Sequence, residues 1–264
     1  METPKSRDSV ISRVGRILAA FDHGRSRLSL TALARRTGLP LTTTHRLVAE
    51  LERHGLIERD SQGNLRLGVQ LWELASRGSH VSTLGEIATP FMRDVLEAVG
   101  QHTTLAILDR DSVLYIERLS SPRSKLEAAR IAERMPIHAS SSGLVLLAFS
   151  DPALQEEILS GPLEKETPYT ETDPMVLRRM LAEIRRAGYV APPSVGRTGW
   201  LGVAVPVFWG DRSIAAALNA IVPLEGTHAH AHTQAQTVIP ALRTAASGIS
   251  RELAHHPEAR RPLT

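Results

Sequence analysis

Between residues 30 and 51 the apolar positions fall into two short helical runs separated by a tight break. Leu30, Leu33 and Ala34 keep helical spacing up to Gly38, a residue suited to the positive φ of a helix C-terminus, so the first run ends there. Leu39-Pro40 links it to a second run from about Thr42, in which Thr44, Leu47, Val48 and Leu51 stand at i, i+3, i+4 and i+7. Two short helices joined this closely, with Gly in the turn, predict a helix-turn-helix. Residues 56–60, the polar turn Ser61-Gln62-Gly63-Asn64 and residues 65–67 then read as strand, turn and strand, a wing. Upstream, Ser9 can cap a helix carrying Val10, Val14, Ile17, Leu18 and Phe21 that ends near Asp22-His23-Gly24, and Ser29 can cap the next.

Further along, Leu71, Trp72, Leu74 and Ala75 predict a short amphipathic helix over 69–77, broken at Gly78-Ser79-His80, with Trp72 as a packing residue. A helix over 84–99 contains Pro90, which should kink it or mark a late start. Runs of β type at 103–108 and 113–119 flank Asp109-Arg110-Asp111-Ser112, and 126–131 is a third candidate strand. A loop of small polar residues then leads into an apolar helix over 144–149. Helices follow at 151–160 and at 174–187, the latter capped by Asp173 and stopped by Gly188. Strands at 201–207 and 213–222 and a helix over 233–253 close the chain. The expected class is α+β. The expected domains are a DNA-binding domain at 1–68, a linker helix at 69–83, a second domain at 84–256 and a tail at 257–264.

Composition narrows the function. A chain of 264 residues with 42% hydrophobic and 22% charged residues is ordinary for a globular protein of one or two domains. No run of 18 apolar residues exists and residues 1–8 lack an apolar leader segment, so the cytoplasm is expected, with no membrane partner. Cysteine is absent, which removes disulfides, thiolate metal sites and cysteine nucleophiles. The net charge of +3 is unevenly spread: residues 1–78 hold 13 Lys/Arg against 8 Asp/Glu, and the remainder holds 18 against 20. The basic excess coincides with the helix-turn-helix, as in a nucleic-acid-binding domain joined to a neutral partner.

The first turn of the second helix offers Thr42, Thr43, His45 and Arg46 outward, donors that match base edges and phosphates of a major groove. A solvated polar face would carry the same residues; the wing and the charge favour double-stranded DNA. In His138-Ala139-Ser140-Ser141-Ser142-Gly143, serine lies near histidine, but there is no Gly-x-Ser-x-Gly elbow and no acid at a recognisable spacing. It reads as a hydroxyl-rich helix cap able to hold a ligand's oxygen. His228, His230 and His232 would share a face on a strand, yet their stretch reads as loop, so no metal or other cofactor is expected. A regulator is the leading reading. The rivals are an enzyme in the second domain with a DNA-binding appendage, and a second domain that only oligomerises.

The chain resembles the IclR family of bacterial transcription regulators over nearly its whole length. The matching segments are Ser29-Leu30-Thr31-Ala32-Leu33-Ala34, Gly38-Leu39-Pro40, Thr43-Thr44-His45-Arg46-Leu47, Leu51-Glu52, His54-Gly55-Leu56, Arg66-Leu67-Gly68, Pro136-Ile137-His138-Ala139 and Val205-Pro206-Val207. The resemblance implies a winged helix-turn-helix, a linker helix and a GAF-like α+β domain that binds a small effector. It implicates Thr42, Thr43, His45 and Arg46 in operator contact, with Arg59 and Arg66 of the wing on phosphates. It places the effector between Ser140, Ser141 and Gly143 on one side and Gly202, Asn219 and Ile221 on the other, with Trp200 nearby.

The chain departs from the family pattern in having Leu41 for a common Lys, Leu144 for Lys, Gly202 for Cys, Pro192-Pro193-Ser194 for an acidic stretch and Asn219 for Ser. These changes imply a roomier, less polar pocket and an effector bulkier or less acidic than a short keto acid. A repressor acting as a homodimer or homotetramer is expected, because one recognition helix covers only a half-site.

Overall fold

Ser9 opens the first helix, α1 (Val10–Ala19), by accepting the Ser12 N–H on its hydroxyl, in a computed structural model that describes residues 8–22, 24–122, 124, 130–193, 195, 198–225, 230–256 and 259–260. The chain divides into two compact units, residues 1–79 and 80–264. In the first, α2 (Leu30–Thr37) starts from Ser29, whose hydroxyl accepts the Ala32 N–H, and ends at Gly38, with φ 66°. There the Gly38 N–H bonds back to the Ala34 carbonyl.

Helix α3 (Leu41–Arg53) begins one residue earlier than its apolar spacing suggests, because Pro40 already has the extended backbone that precedes a helix. Helix α1 stops at Ala19, short of Phe21. Ile17, Leu33, Leu47, Val48, Ile57 and Leu65 form the core of this unit. The wing is β1 (Ile57–Arg59) paired antiparallel with β2 (Leu65–Leu67). It ends at α4 (Val69–Gly78).

Trp72 does not pack: it is 69% exposed, and Val69 and Leu74 on the same helix are also open. Helical spacing marks an apolar face without saying what covers it. His80 opens the second unit at the start of α5 (His80–Val99), which runs unbroken through Pro90 rather than starting late. Leu84, Ala88, Met92 and Val95, all buried on one side of α5, outweigh the local cost of that proline.

A five-stranded antiparallel sheet follows, in the order β5-β4-β3-β7-β6. Its strands are β3 (His102–Asp109), β4 (Ser112–Ser120), β5 (Arg134–Pro136), β6 (Trp200–Phe208) and β7 (Ile214–Pro223). The third strand in sequence is thus Arg134–Pro136, not 126–131; residues 126–129 lie outside those described and Ile131 is in a turn. One face packs on α5 and on α9 (Ala231–His255), with Leu105, Val203, Val205, Leu218 and Leu242 in the core. The other face packs on α6 (Ser141–Ala148) and α8 (Pro174–Ala187), through Ala106, Tyr115, Ala204, Ala217 and Leu177. Helix α7 (Pro152–Ser160) is capped by Asp151.

Past α9 the chain does not trail off at 257. Ala259 is fully buried against the first core face, and Arg260 pairs with Asp211 at 2.9 Å.

Candidate functional site

In the first unit, the turn that opens α3 is built so that its polar residues split by direction. Thr44 turns inward, fully buried, and its hydroxyl donates to the Pro40 carbonyl at 3.1 Å. Thr42, His45 and Arg46 are exposed and Thr43 is half-buried. Neither His45 nor Arg46 forms a side-chain hydrogen bond or ion pair among the described residues, so their donors are open to a nucleic acid. Arg35 on α2 is likewise exposed and unpaired, whereas its neighbour Arg36 is tied to Asp22. Sequence reading left Arg35 out, because adjacent arginines look alike until their partners are placed.

The wing arginines are engaged. Arg59 pairs with Glu52 at 2.8 Å, and Arg66 with Glu58 at 2.9 Å. Glu58 also accepts the Val69 N–H that opens α4; that bond and then Arg66 hold its carboxyl below the ordinary range. Both pairs are open to water, and exposed pairs of this kind are worth only about 0–1 kcal/mol, so phosphates can compete for the arginines. The turn between the strands is held by Asp60, whose side chain accepts the N–H groups of Gln62 and Asn64.

In the second unit, strand register collects the expected effector residues on one sheet face. Gly202 pairs with Ile221, and Ile221 with His102; Ala204 pairs with Asn219, and Asn219 with Thr104. Alternation puts Trp200, Gly202, Asn219 and Ile221 on the face that carries α6. Helix α6 begins at Ser141 rather than Leu144, so Ser141, Ser142 and Gly143 form its first turn. The Ser140 hydroxyl accepts the Gly143 N–H at 3.0 Å, and the Ser141 hydroxyl donates to the Gly202 carbonyl at 2.8 Å. Those two hydroxyls and that N–H are consumed in seating the helix, which corrects the expectation that they stand free for a ligand.

Gly202 gives no extra room either. A Cβ there would lie 2.5 Å from Ser141 Oγ and 3.5 Å from Asn219 Oδ1, so the missing side chain lets the helix start sit on the strand. Two buried polar atoms lack a well-formed hydrogen bond among the described residues, Ser142 Oγ and Asn219 Oδ1; the Tyr115 hydroxyl is near enough to Ser142 to interact with it, whereas Asn219 Oδ1 has no such neighbour. Asn219 Nδ2 reaches Thr104 Oγ1 only at 3.5 Å. Buried polar groups are normally satisfied, so unpartnered ones mark a place for a ligand or water.

Sequence reading missed His102, which is 1% exposed on the same sheet face. Its Nδ1 lies 2.9 Å from Ser120 Oγ and its Nε2 contacts Ser124 Oγ. Burial first, and then the Arg118 cation, lower its pKa below the ordinary imidazole range, so the ring is neutral near pH 7. The nitrogen that a carboxylate orients in a hydrolytic triad is held here by a hydroxyl. Trp200, at the head of β6, is half-buried. His228 lies outside the described residues; His230 caps α9 and His232 lies in its first turn. Among the described residues no cluster of three or more His, Asp or Glu could hold a metal ion. No described helix is long and apolar enough to cross a membrane.

Known proteins carry the same two parts. Residues 10–61 match the IclR helix-turn-helix domain, and residues 79–251 match the bacterial transcriptional regulator IclR C-terminal family. The HTH-type transcriptional regulator XynR of Escherichia coli is 31% identical, over 79% of this chain and 84% of its own length. KdgR of the same organism is 28% identical over 96% of this chain and 95% of its own. A crystal structure of an IclR homologue from Microbacterium hydrocarbonoxydans, complexed with 4-hydroxybenzoate, is 42% identical and superimposes with a TM-score of 0.87, covering 94% of this chain and 100% of that one. A helix-turn-helix model and a C-terminal regulator model match this chain one after the other, and the chain belongs to the IclR family of transcriptional regulators, with a DNA-binding N-terminal domain and an effector-binding C-terminal domain.

Proposed function

We propose that the chain is a cytoplasmic repressor that binds its operator through Thr42, Thr43, His45 and Arg46 and is governed by a hydroxylated aromatic acid held beside Asn219. The observation that supports the DNA contact is the open, unpaired turn at the start of α3 in the basic part of the chain. Arg59 and Arg66 add phosphate contacts once released from Glu52 and Glu58. What supports the effector class is the unpartnered Asn219 Oδ1, with the Ser142 and Tyr115 hydroxyls at the start of α6 and a neutral His102 on the same sheet face. Such a floor can meet a hydroxyl and a carboxylate together, and a helix N-terminus favours the anionic group. The 42% identical relative complexed with 4-hydroxybenzoate supports the same class, one bulkier than a short keto acid. Ser140, Ser141 and Gly143 shape one wall, and Trp200, Gly202 and Ile221 shape the other.

The working unit is a homodimer. Val10, Ile11, Val69, Trp72 and Leu74 are each more than half exposed, with Ile11 at 83%, and a second copy provides the cover that an isolated chain lacks. Two recognition helices then meet two half-sites. Light scattering of the full chain measures the subunit count, and a monomer in solution at working concentration ends this part of the reading.

Titrating 4-hydroxybenzoate against the protein on operator DNA, followed by fluorescence anisotropy, tests the whole. Release of DNA is expected, because a ligand that prefers one arrangement of the protein shifts the equilibrium toward it. DNA affinity unmoved by this and related hydroxylated aromatic acids would refute the effector class. In vitro transcription from the operator should fall when protein is added; a rise would refute repression.

A further inference from the structure

The far end of the five-stranded sheet holds a second concave site. A cavity of about 580 Å³ opens where β3 ends at Ile107 and Leu108 and β7 begins at Ile214 and Ala215. Asn219 lies five residues further along β7, roughly 17 Å away at the rise of a strand. Ile107 belongs to the core under α5 and α9, while Leu108 packs against the core under α6 and α8. The cleft therefore straddles both cores at the sheet's end. Its volume lies in the range of small-molecule sites.

The lining is mostly apolar and includes two aromatic rings, with polar side chains such as His80, Ser150 and Ser213 at its edge. Phe149, at the end of α6, is half-buried and fixed edge-on to Phe208, with ring centroids 5.2 Å apart at 83°. Trp209, in the turn between β6 and β7, is half-buried on the facing side. The buried Ala259 closes the cleft from the C-terminal segment.

Of the charged side chains around the cleft, Arg260 and Asp151 are already engaged, and His80 adds an imidazole at the start of α5. Arg260 is held by Asp211 at 2.9 Å and reaches Ser213 Oγ at 3.3 Å. Asp151 is committed to the Ala153 N–H at 2.7 Å, capping α7. A charged ligand would have to give up its hydration without a free counter-charge on Arg260 or Asp151, whereas a flat apolar one gains contact with Phe149 and Trp209. We propose that this cleft binds an uncharged aromatic molecule of one or two rings, at a site separate from the effector site. Helix α6 touches both: its first turn seats on Gly202, and its end supplies Leu146 and Phe149 to the cleft.

The probe is 2-naphthol, titrated calorimetrically into the full-length protein at neutral pH. Saturable binding of one molecule per chain is expected. Leu154→Trp, which fills the cleft from the half-buried face of α7, should weaken it by about tenfold or more with an unchanged melting curve; Phe149→Ala should weaken it in the same direction. Asn219→Ala should leave it intact, and the carboxylate 2-naphthoate should bind about tenfold more weakly. An absence of saturable heat, or wild-type affinity in both cleft variants, overturns the site. Loss of binding in Asn219→Ala instead would assign the probe to the effector face and overturn the proposal of a separate site. Equal affinity for 2-naphthoate overturns the uncharged class.

Discussion

Ser141 Oγ stands 2.8 Å from the Gly202 carbonyl, and this one bond fixes the start of α6 on the edge strand β6. Adding a methyl at Gly202 places it 2.5 Å from that hydroxyl, so Ser141 must rotate and give up the bond. Gly202→Ala should therefore cost about 1 kcal/mol, the net worth of one hydrogen bond. Ser141→Ala should cost about as much, and the double variant no more than the larger single one, because both remove the same contact. Thermal melts of the three variants measure this, and full additivity would show that the bond does not link the two sites.

Gly143 admits no such escape. A Cβ there would lie 1.9 Å from the Ile137 carbonyl oxygen and 2.7 Å from its carbon, both backbone atoms. Gly143→Ala should destabilise the effector domain by about 3 kcal/mol or more, at the upper end of overpacking costs. Denaturant unfolding of the full chain reads this, and a change below about 1 kcal/mol would mean that the helix start shifts easily.

The contrast between these glycines shows what a sequence conceals. Caps and stops are readable: Ser9, Ser29 and Asp173 each accept a backbone N–H at a helix start, and Gly38 and Gly188 end helices at positive φ. These are local devices, written in neighbouring residues. Gly202 belongs to a relation across 61 positions, and its lack of a side chain looks like empty space until Ser141 is seen to occupy it. Thr104 sits in a run that reads simply as a strand, and His102 just ahead of it; only the pairing with Ile221 and Asn219 places them beside the expected effector residues. Ala259 is one small residue in a charged end of the chain, with no periodicity to announce that it is buried.

On the DNA side, freedom from partners separates the candidate contacts. Arg46→Ala should weaken operator binding by about 1–3 kcal/mol without changing the melting temperature, since the side chain is exposed and unpaired. Arg59→Ala and Arg66→Ala should cost less, about 1 kcal/mol or under, because each arginine must first leave a carboxylate. Gel shifts on one operator at fixed salt compare the three, and a reversed order would move the main contact from the helix to the wing.

Residues 1–79 form a unit with its own core around Leu33, Leu47 and Ile57 and hold the basic excess. This fragment should retain weak DNA binding that falls steeply with salt, because released counterions drive it. The full chain, if dimeric as proposed, should bind more tightly at every salt concentration, because two copies present two α3 helices. A fragment with no DNA affinity even at low salt would show that the two units cannot act separately.

The last prediction concerns acid. Asp211 accepts the hydroxyl and backbone N–H of Ser213 and pairs with Arg260; the Ser213 bonds come first among the causes that lower its pKa from 3.8 to about 2. A carboxyl depressed in the folded state stabilises it at pH values above the unfolded pKa of about 3.9, and that contribution is lost as pH falls toward the folded value. Asp211→Asn removes the titration while keeping the shape. The variant should melt below the wild type at pH 6, the gap should narrow from about pH 4 downward, and it should close near pH 2. Because Arg260 holds the C-terminal segment against this turn, Arg260→Ala should reproduce part of the gap at pH 6. Melting curves taken across this range decide it: a gap that stays constant with pH would mean that the Asp211 carboxylate is not what secures the segment.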